Sequence, residues 1–240
     1  MSLWEYANPV KFLSFSGKIV PWFAAGAALF IAVGLYWGYF LTPDDYKQGS
    51  TVKIIYLHVP AALIAINAWF MMLVASLIWL IRRHHVSALA ARAAAPIGIV
   101  MTLITLITGA LWGQPMWGTP WVWDARLTSM LVLFFLYLGY MALGDAFERQ
   151  EQGDRAAAIL ALVGSINLPI IKFSVDWWNT LHQPSIFSMA GISVDSEMLA
   201  PLFLMVGAFQ SYYVVVILMR VRAQVLSAKV RAARLMQAAG

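Results

Sequence analysis

Four histidines and eleven tryptophans are the residues of this 240-residue chain with ligand chemistry to offer, and there is no cysteine. The missing thiols exclude disulfides, iron–sulfur clusters, thiolate zinc sites and thiol catalysis. His84 and His85 follow Arg82 and Arg83 and read as part of a solvated basic run. His58, in Tyr56-Leu-His-Val-Pro60, and His182, in Trp177-Trp-Asn-Thr-Leu-His-Gln-Pro184, stand instead at the edges of apolar stretches. Taken singly, each is an ordinary hydrogen-bonded interfacial residue. Taken as a pair on one side of a membrane, they fit another role, because two neutral imidazoles are the usual protein donors to an iron porphyrin held from both sides. Zinc would want a third ligand, and Asp124, Asp176, Asp195 and Glu197 have no metal-like spacing.

The elements that must carry these residues are set by the solvent. Hydrophobic residues make up 62% of the chain and charged ones 11%, against about 25% charged in an ordinary globular domain. Water cannot be the main solvent of such a chain, and the expected fold is an all-α bundle of six transmembrane helices. Crossing about 30 Å of hydrocarbon takes roughly 20 helical residues. The charge-poor stretches place spans at about 19–41, 57–81, 95–111, 127–144, 156–171 and 198–219, with Pro96 and Pro169 at span ends, where a helix tolerates proline best. No cleavable signal is expected, since the first span is too long and Trp4, Glu5 and Lys11 do not make its usual leader.

With the N-terminus inside, the inner segments hold Lys11, Lys18, Arg82, Arg83, Arg92, Arg149, Arg155, Arg220, Arg222, Lys229, Arg231 and Arg234, and the outer ones only Lys47, Lys53, Arg126 and Lys172. That asymmetry puts both termini in the cytoplasm and assigns the net charge of +5 to topology rather than to nucleic acid. Residues 144–155 read as a solvated hairpin, and the tail from Arg220 as a basic helix along the anionic inner leaflet. No internal repeat appears, so one domain is expected over residues 1–240.

Three outer loops remain, at 42–56, 112–126 and 172–197. The last two hold Trp112, Trp117, Trp121, Trp123, Trp177 and Trp178, six of the eleven tryptophans, while the inner face offers Trp4, Trp22 and Trp79. An interfacial aromatic belt also enriches tryptophan, though on both faces. Pro115, Pro120, Gly113 and Gly118 argue that 112–124 is no span but a broken amphipathic ledge on the outer surface, a flat apolar wall suited to a flat ligand. Arg126, Lys53 and Lys172 are the cations near enough in sequence to meet the carboxylates at a porphyrin rim. Arg126 and Lys172 equally read as cations snorkelling from helix ends. Asp124 stands where the fourth span needs an N-cap.

Trp117-Gly-x-x-Trp121-x-Trp123-Asp124 resembles the tryptophan-rich "WWD" signature of cytochrome c assembly proteins that handle haem. Six spans and the stretch Ser174-Val-Asp-Trp-Trp-Asn-Thr-Leu-His-Gln-Pro184 look most like the CcmC family. The resemblance implies a bacterial inner-membrane protein that binds haem b transiently on its periplasmic face. It implies His58 and His182 as axial ligands, and Trp112, Trp117, Trp121, Trp123, Asp124, Arg126 and Ser174 as further haem-handling positions, with Trp177 and Trp178 beside them. Lys53 stands where the resemblance leads one to expect arginine, so the charge is kept and the bidentate fork lost. The partners implied are the haem chaperone CcmE, the ATP-binding-cassette pair CcmA and CcmB, and the small subunit CcmD.

No Walker loop and no C-x-x-C-H occur in the chain, so it reads neither as the ATPase nor as a protein that keeps haem covalently. No acid–base or nucleophilic constellation suggests an enzyme. The alternatives are a transmembrane transporter or channel subunit for haem or another small solute, against which the charge-poor spans argue, and an electron-transfer cytochrome b, whose histidine pairs would sit inside the bundle.

Overall fold

The computed structural model describes residues 8–184, 186–188 and 191–239; Trp4 and Glu5 lie outside them. Six helical segments are long and apolar enough to cross a membrane: Pro9–Leu41, Ser50–Arg82, His85–Trp117, Ala125–Asp145, Gln150–Trp177 and Ser196–Ala238. Their most apolar windows have mean hydropathies of 1.8 to 2.2. The fold is the all-α six-span bundle expected. Strand among the described residues is confined to a two-rung hairpin, β1 (Phe187–Ser188) with β2 (Gly191–Ile192).

The elements are α1 (Pro9–Tyr36), continued by a π turn over Trp37–Leu41; a 3-10 turn at Ser50–Ile54 leading into α2 (Ile55–Arg82); and α3 (His85–Trp117). They continue with α4 (Ala125–Asp145), α5 (Gln150–Gly164), α6 (Asn167–Trp177) and α7 (Ser196–Ala239). The principal pairings are α2 with α3, α1 with α7, and α4 with α5, while α2 also meets α5 and α7. Small residues let the central pair approach closely. Ala61, Ala65 and Ala68 of α2 and Ala91, Ala94 and Ala95 of α3 are all buried, as expected where lipid offers no hydrophobic driving force and packing must hold helices together.

Several boundaries depart from the sequence reading. α3 runs to Trp117, straight through Gly113 and Pro115, and ends only where Gly118 takes φ 76° and donates its N–H to the Gln114 carbonyl at 3.1 Å. Pro115 forfeits one bond in a final turn, and tertiary contacts on Trp112 and Trp117 hold that turn in place. Pro96 likewise lies inside α3 rather than at its end. The fifth span is two helices. Pro169 has no N–H to return to the Ser165 carbonyl, and the chain breaks at Ser165–Ile166, with the Leu168 N–H on the Ser165 carbonyl at 3.1 Å. The inner hairpin is shorter and less solvated than expected, because α4 reaches Asp145 and α5 starts at Gln150. Asp154 is half-buried and paired with Arg92 of α3. The basic tail from Arg220 is helical and continues α7 without a break to Ala239. Near its start Arg222 bonds the Leu13 carbonyl and the Ser16 hydroxyl of α1, the latter at 2.8 Å.

Midway through the bundle, Trp69 of α2 and Tyr137 of α4, both fully buried, meet edge to face with centroids 4.9 Å apart. Their polar atoms are paired, Tyr137 Oη with the Ala65 carbonyl at 2.7 Å and Trp69 Nε1 with Ser165 Oγ at 3.2 Å. Glycines make the room. A Cβ on Gly164 would stand 2.6 Å from Trp69 Cζ2, and one on Gly98 would stand 2.2 Å from Tyr137 Cζ. Gly98→Ala is therefore expected to cost about 1–3 kcal/mol through overpacking, lowering the thermal unfolding midpoint of the protein in detergent. Gly26→Ala, with nothing within 4 Å of its Cβ, should leave that midpoint in place.

Candidate functional site

Above the Trp69–Tyr137 pair the bundle opens into a cavity between the outer halves of α2, α3, α4 and α6. Its volume is about 200 Å³. Its lower walls are apolar, with Val59, Ala62, Leu63 and Ile66 from α2, Leu106 and Ala110 from α3, and Leu127 and Met130 from α4. Its upper rim carries His58, Trp112, Trp117, Trp121, Arg126, Lys172 and His182.

The structure brings the two histidines together from 124 positions apart in sequence, with ring centroids 6.4 Å apart and planes inclined by 35°. His58 sits in the first turn of α2, and its Nδ1 meets Thr108 Oγ1 of α3 at 2.9 Å. Gly109 leaves space for the ring, since a Cβ there would lie 3.3 Å from His58 Cε1. His182 comes from the loop after α6. Its Nδ1 faces the Gln183 main-chain carbonyl at 2.8 Å, and its backbone N–H donates to Thr180 Oγ1 at 3.0 Å. That hydroxyl in turn donates to Asp124 Oδ2, while Asp124 Oδ1 accepts the Leu127 N–H at 2.8 Å and so caps α4. The expected N-cap and the loop that carries His182 are thus joined through one carboxylate.

Trp112 and Trp117 stand on the last turns of α3 as an edge-to-face pair at 5.1 Å, each about 6.5 Å from the His182 ring. Gln48 fixes the first by accepting its indole N–H at 2.8 Å. Gly118–Asp124 is the irregular part of the expected ledge. In it Trp121 turns into the cavity, and its buried Nε1 has no hydrogen-bond partner among the described residues. Arg126 Nε donates to the buried Ser174 Oγ at 3.2 Å, which places the guanidinium at the cavity edge.

Other expected site residues stand apart. Trp123 packs edge-on against Trp121 at 5.4 Å but is 78% exposed. Trp177 stacks on Phe173 at 5.5 Å and touches Trp178, both outside the cavity and more than half exposed. Lys53 is turned away, its Nζ 3.0 Å from Asp44 and 3.2 Å from the Tyr39 carbonyl. Thr108, Thr180, Gln48 and Gly109 escaped the sequence reading. The spacing of Thr102, Thr105 and Thr108 on one helical face was the signal available for the first of them.

Burial holds the His182 imidazole below the ordinary histidine value, and Arg126 adds to the shift, while the Gln183 carbonyl and the Asp124 charge oppose it. A depressed folded-state value means that the neutral ring's contribution to stability is complete above the ordinary value of about 6.5. It is lost as pH falls through that value toward the depressed one. Nitrogen NMR of histidine-labelled, ligand-free protein should give His182 a midpoint below about 6.5. Asp124→Asn, which keeps a capping side chain but removes the charge, should lower it further. An unshifted midpoint in the wild type would contradict the burial argument.

A family model described as "Heme exporter protein C" matches residues 2–236. Among curated relatives of that name, the protein of Paracoccus denitrificans is 59% identical over 94% of this chain and 94% of its own length. That of Bradyrhizobium diazoefficiens is 52% identical over 99% and 90%. That of Escherichia coli K12 is 46% identical over 94% and 91%. Similarity at this level along nearly the whole of each partner leaves no room for a shared segment alone, and the chain belongs to the CcmC, or heme exporter protein C, family.

Proposed function

We propose that this protein holds haem b transiently at the periplasmic face of the bacterial inner membrane, both of its termini being cytoplasmic, and delivers it to the haem chaperone CcmE during cytochrome c maturation. The single observation that carries this reading is the convergence of His58 and His182 at 6.4 Å over one tryptophan-walled cavity. Two imidazoles this close could both reach one metal ion held between them, at metal–nitrogen bonds of about 2.0–2.1 Å. The donor set suits the group: two neutral imidazoles for iron, flat indoles for the porphyrin face, and the Arg126 guanidinium with the unpartnered Trp121 indole N–H for its carboxylates. Haem supplies the metal and redox chemistry when bound. The chain supplies ligation, orientation and an apolar surround, and is not itself an enzyme.

Custody rather than conduction is supported by the floor of the cavity. The interlocked Trp69–Tyr137 pair fills the bundle beneath it, and the described spans bury no ion pair at that depth. CcmA, CcmB and CcmD are the partners proposed for the assembled complex, with the lipid-facing helices as their meeting ground.

The visible spectrum of the protein purified in mild detergent should show low-spin, six-coordinate haem, lost or altered in both His58→Ala and His182→Ala. Trp121→Ala should weaken haem retention about two- to twelvefold, the worth of one aromatic pair. Trp123→Ala, on the exposed side of the ledge, should retain more haem than Trp121→Ala and affect transfer to the chaperone. Absence of haem from the wild type, even after excess haem and the small subunit are supplied, would overturn the reading.

A further inference from the structure

Thr102, Thr105 and Thr108 of α3 each return their hydroxyl to a carbonyl one turn back, at 2.8, 2.8 and 2.7 Å. This habit satisfies a hydroxyl inside an apolar medium. Thr108 alone of the three has a further partner on another helix, His58 Nδ1 at 2.9 Å. A hydroxyl carries one proton and two lone pairs. The Ile104 carbonyl can only accept, so at 2.7 Å it takes that proton. Were the proton turned toward His58 instead, two oxygen lone-pair regions would face each other at that distance. The arrangement that satisfies all three atoms has Thr108 donating to Ile104 and His58 Nδ1–H donating to Thr108 Oγ1. Neutral imidazole carries one N–H, so Nε2 is left with the lone pair.

The same outcome is reached on the opposite side by another route. His182 Nδ1 faces the Gln183 carbonyl at 2.8 Å, which also only accepts. Both rings are therefore held in the Nδ1–H form. In His182 the acceptor is main chain and beyond the reach of substitution. In His58 it is chiefly the Thr108 side chain, with the Thr105 main-chain carbonyl also facing the ring.

We propose that Thr108 is a positioning residue that locks His58 in the Nδ1–H tautomer and thereby selects Nε2 as its ligating nitrogen. The inference rests on the haem reading given above. An acceptor behind the ring also makes Nε2 a stronger donor, and outer-shell partners of this kind are worth about 10- to 100-fold in metal affinity. Gly109 belongs to the same device, since its missing side chain lets the imidazole come up against α3.

Two measurements on wild type, Thr108→Val and Thr108→Ser test this. Valine is close in shape and removes the acceptor, while serine keeps it. In ligand-free protein labelled with nitrogen-15 in its four histidines, His58 should carry its proton on Nδ1 in the wild type and Thr108→Ser, and shift measurably toward Nε2 in Thr108→Val, where the Thr105 carbonyl is the acceptor left. In haem-loaded protein, Thr108→Val should retain haem about 10- to 100-fold more weakly, with a raised midpoint potential because a poorer donor favours ferric iron less. Thr108→Ser should restore both.

A His58 proton on Nε2 in the wild type, or a tautomer indifferent to Thr108→Val, overturns the lock. Equal haem retention and potential in wild type and Thr108→Val overturn its positioning role and leave the haem reading standing. A Thr108-dependent tautomer in a chain that takes up no haem supports the lock and overturns the haem reading instead.

Discussion

The carboxylate of Asp124 divides its two oxygens between the start of α4 and the loop that carries His182. One oxygen caps α4 through the Leu127 N–H, and the other accepts from Thr180, whose hydroxyl holds the backbone of His182. The outer loop has little core of its own, and its short β1–β2 ladder cannot fix it over the bundle. The position of His182 is therefore inherited from the start of a membrane helix. A loop tied in this way can stand over an open cavity without filling it.

Beneath the loop, the bundle obeys the rule that polar atoms in an apolar medium must find partners within the protein. Thr105 and Thr108 turn back on their own helix, Asn167 donates to the Ser129 carbonyl at 2.8 Å, and Tyr137 reaches Ala65 across two helices. The last two pairings also fix distances between helices. The glycines at 98 and 164 then permit large aromatic rings at the level where the cavity ends. Closure below the cavity comes from one pattern, small residues beside large rings at mid-depth. The break at Ser165–Ile166 starts α6 as a new helix, whose Ile171 and Lys172 line the cavity.

The rim polar groups are exceptions to complete pairing. Trp121 Nε1 is buried without a partner among the described residues, and the two imidazoles turn Nδ1 toward the protein. Unmet polar capacity at a cavity edge costs stability in the absence of a ligand. On the proposed reading, that lost stability is exchanged for the ability to accept and surrender a ligand.

Much was legible without coordinates. Charge-free runs of helical length can satisfy their backbone groups in hydrocarbon in only one way, so six helices followed from composition and length alone. His58 and His182 were marked by their place at span edges, and Trp112, Trp117 and Trp121 by their concentration on one face. Helix ends were less legible, because Pro115 and Gly113 weaken a helix locally while the Trp112–Gln48 bond and the Trp117 contacts hold it from a distance. The same limit hid the division of the tryptophans, since spacing cannot say that Trp121 turns inward while Trp123, two residues on, is exposed. Lys53 looked equivalent to Arg126 by charge and side, yet Asp44 holds it away from the cavity. Residue types and their periodicity determined the fold and the kind of chemistry available. Which side chains converge, and which nitrogen of His58 is turned into the protein, depended on partners far away in sequence, as with Thr108, 50 positions from His58, and those only the tertiary structure supplies.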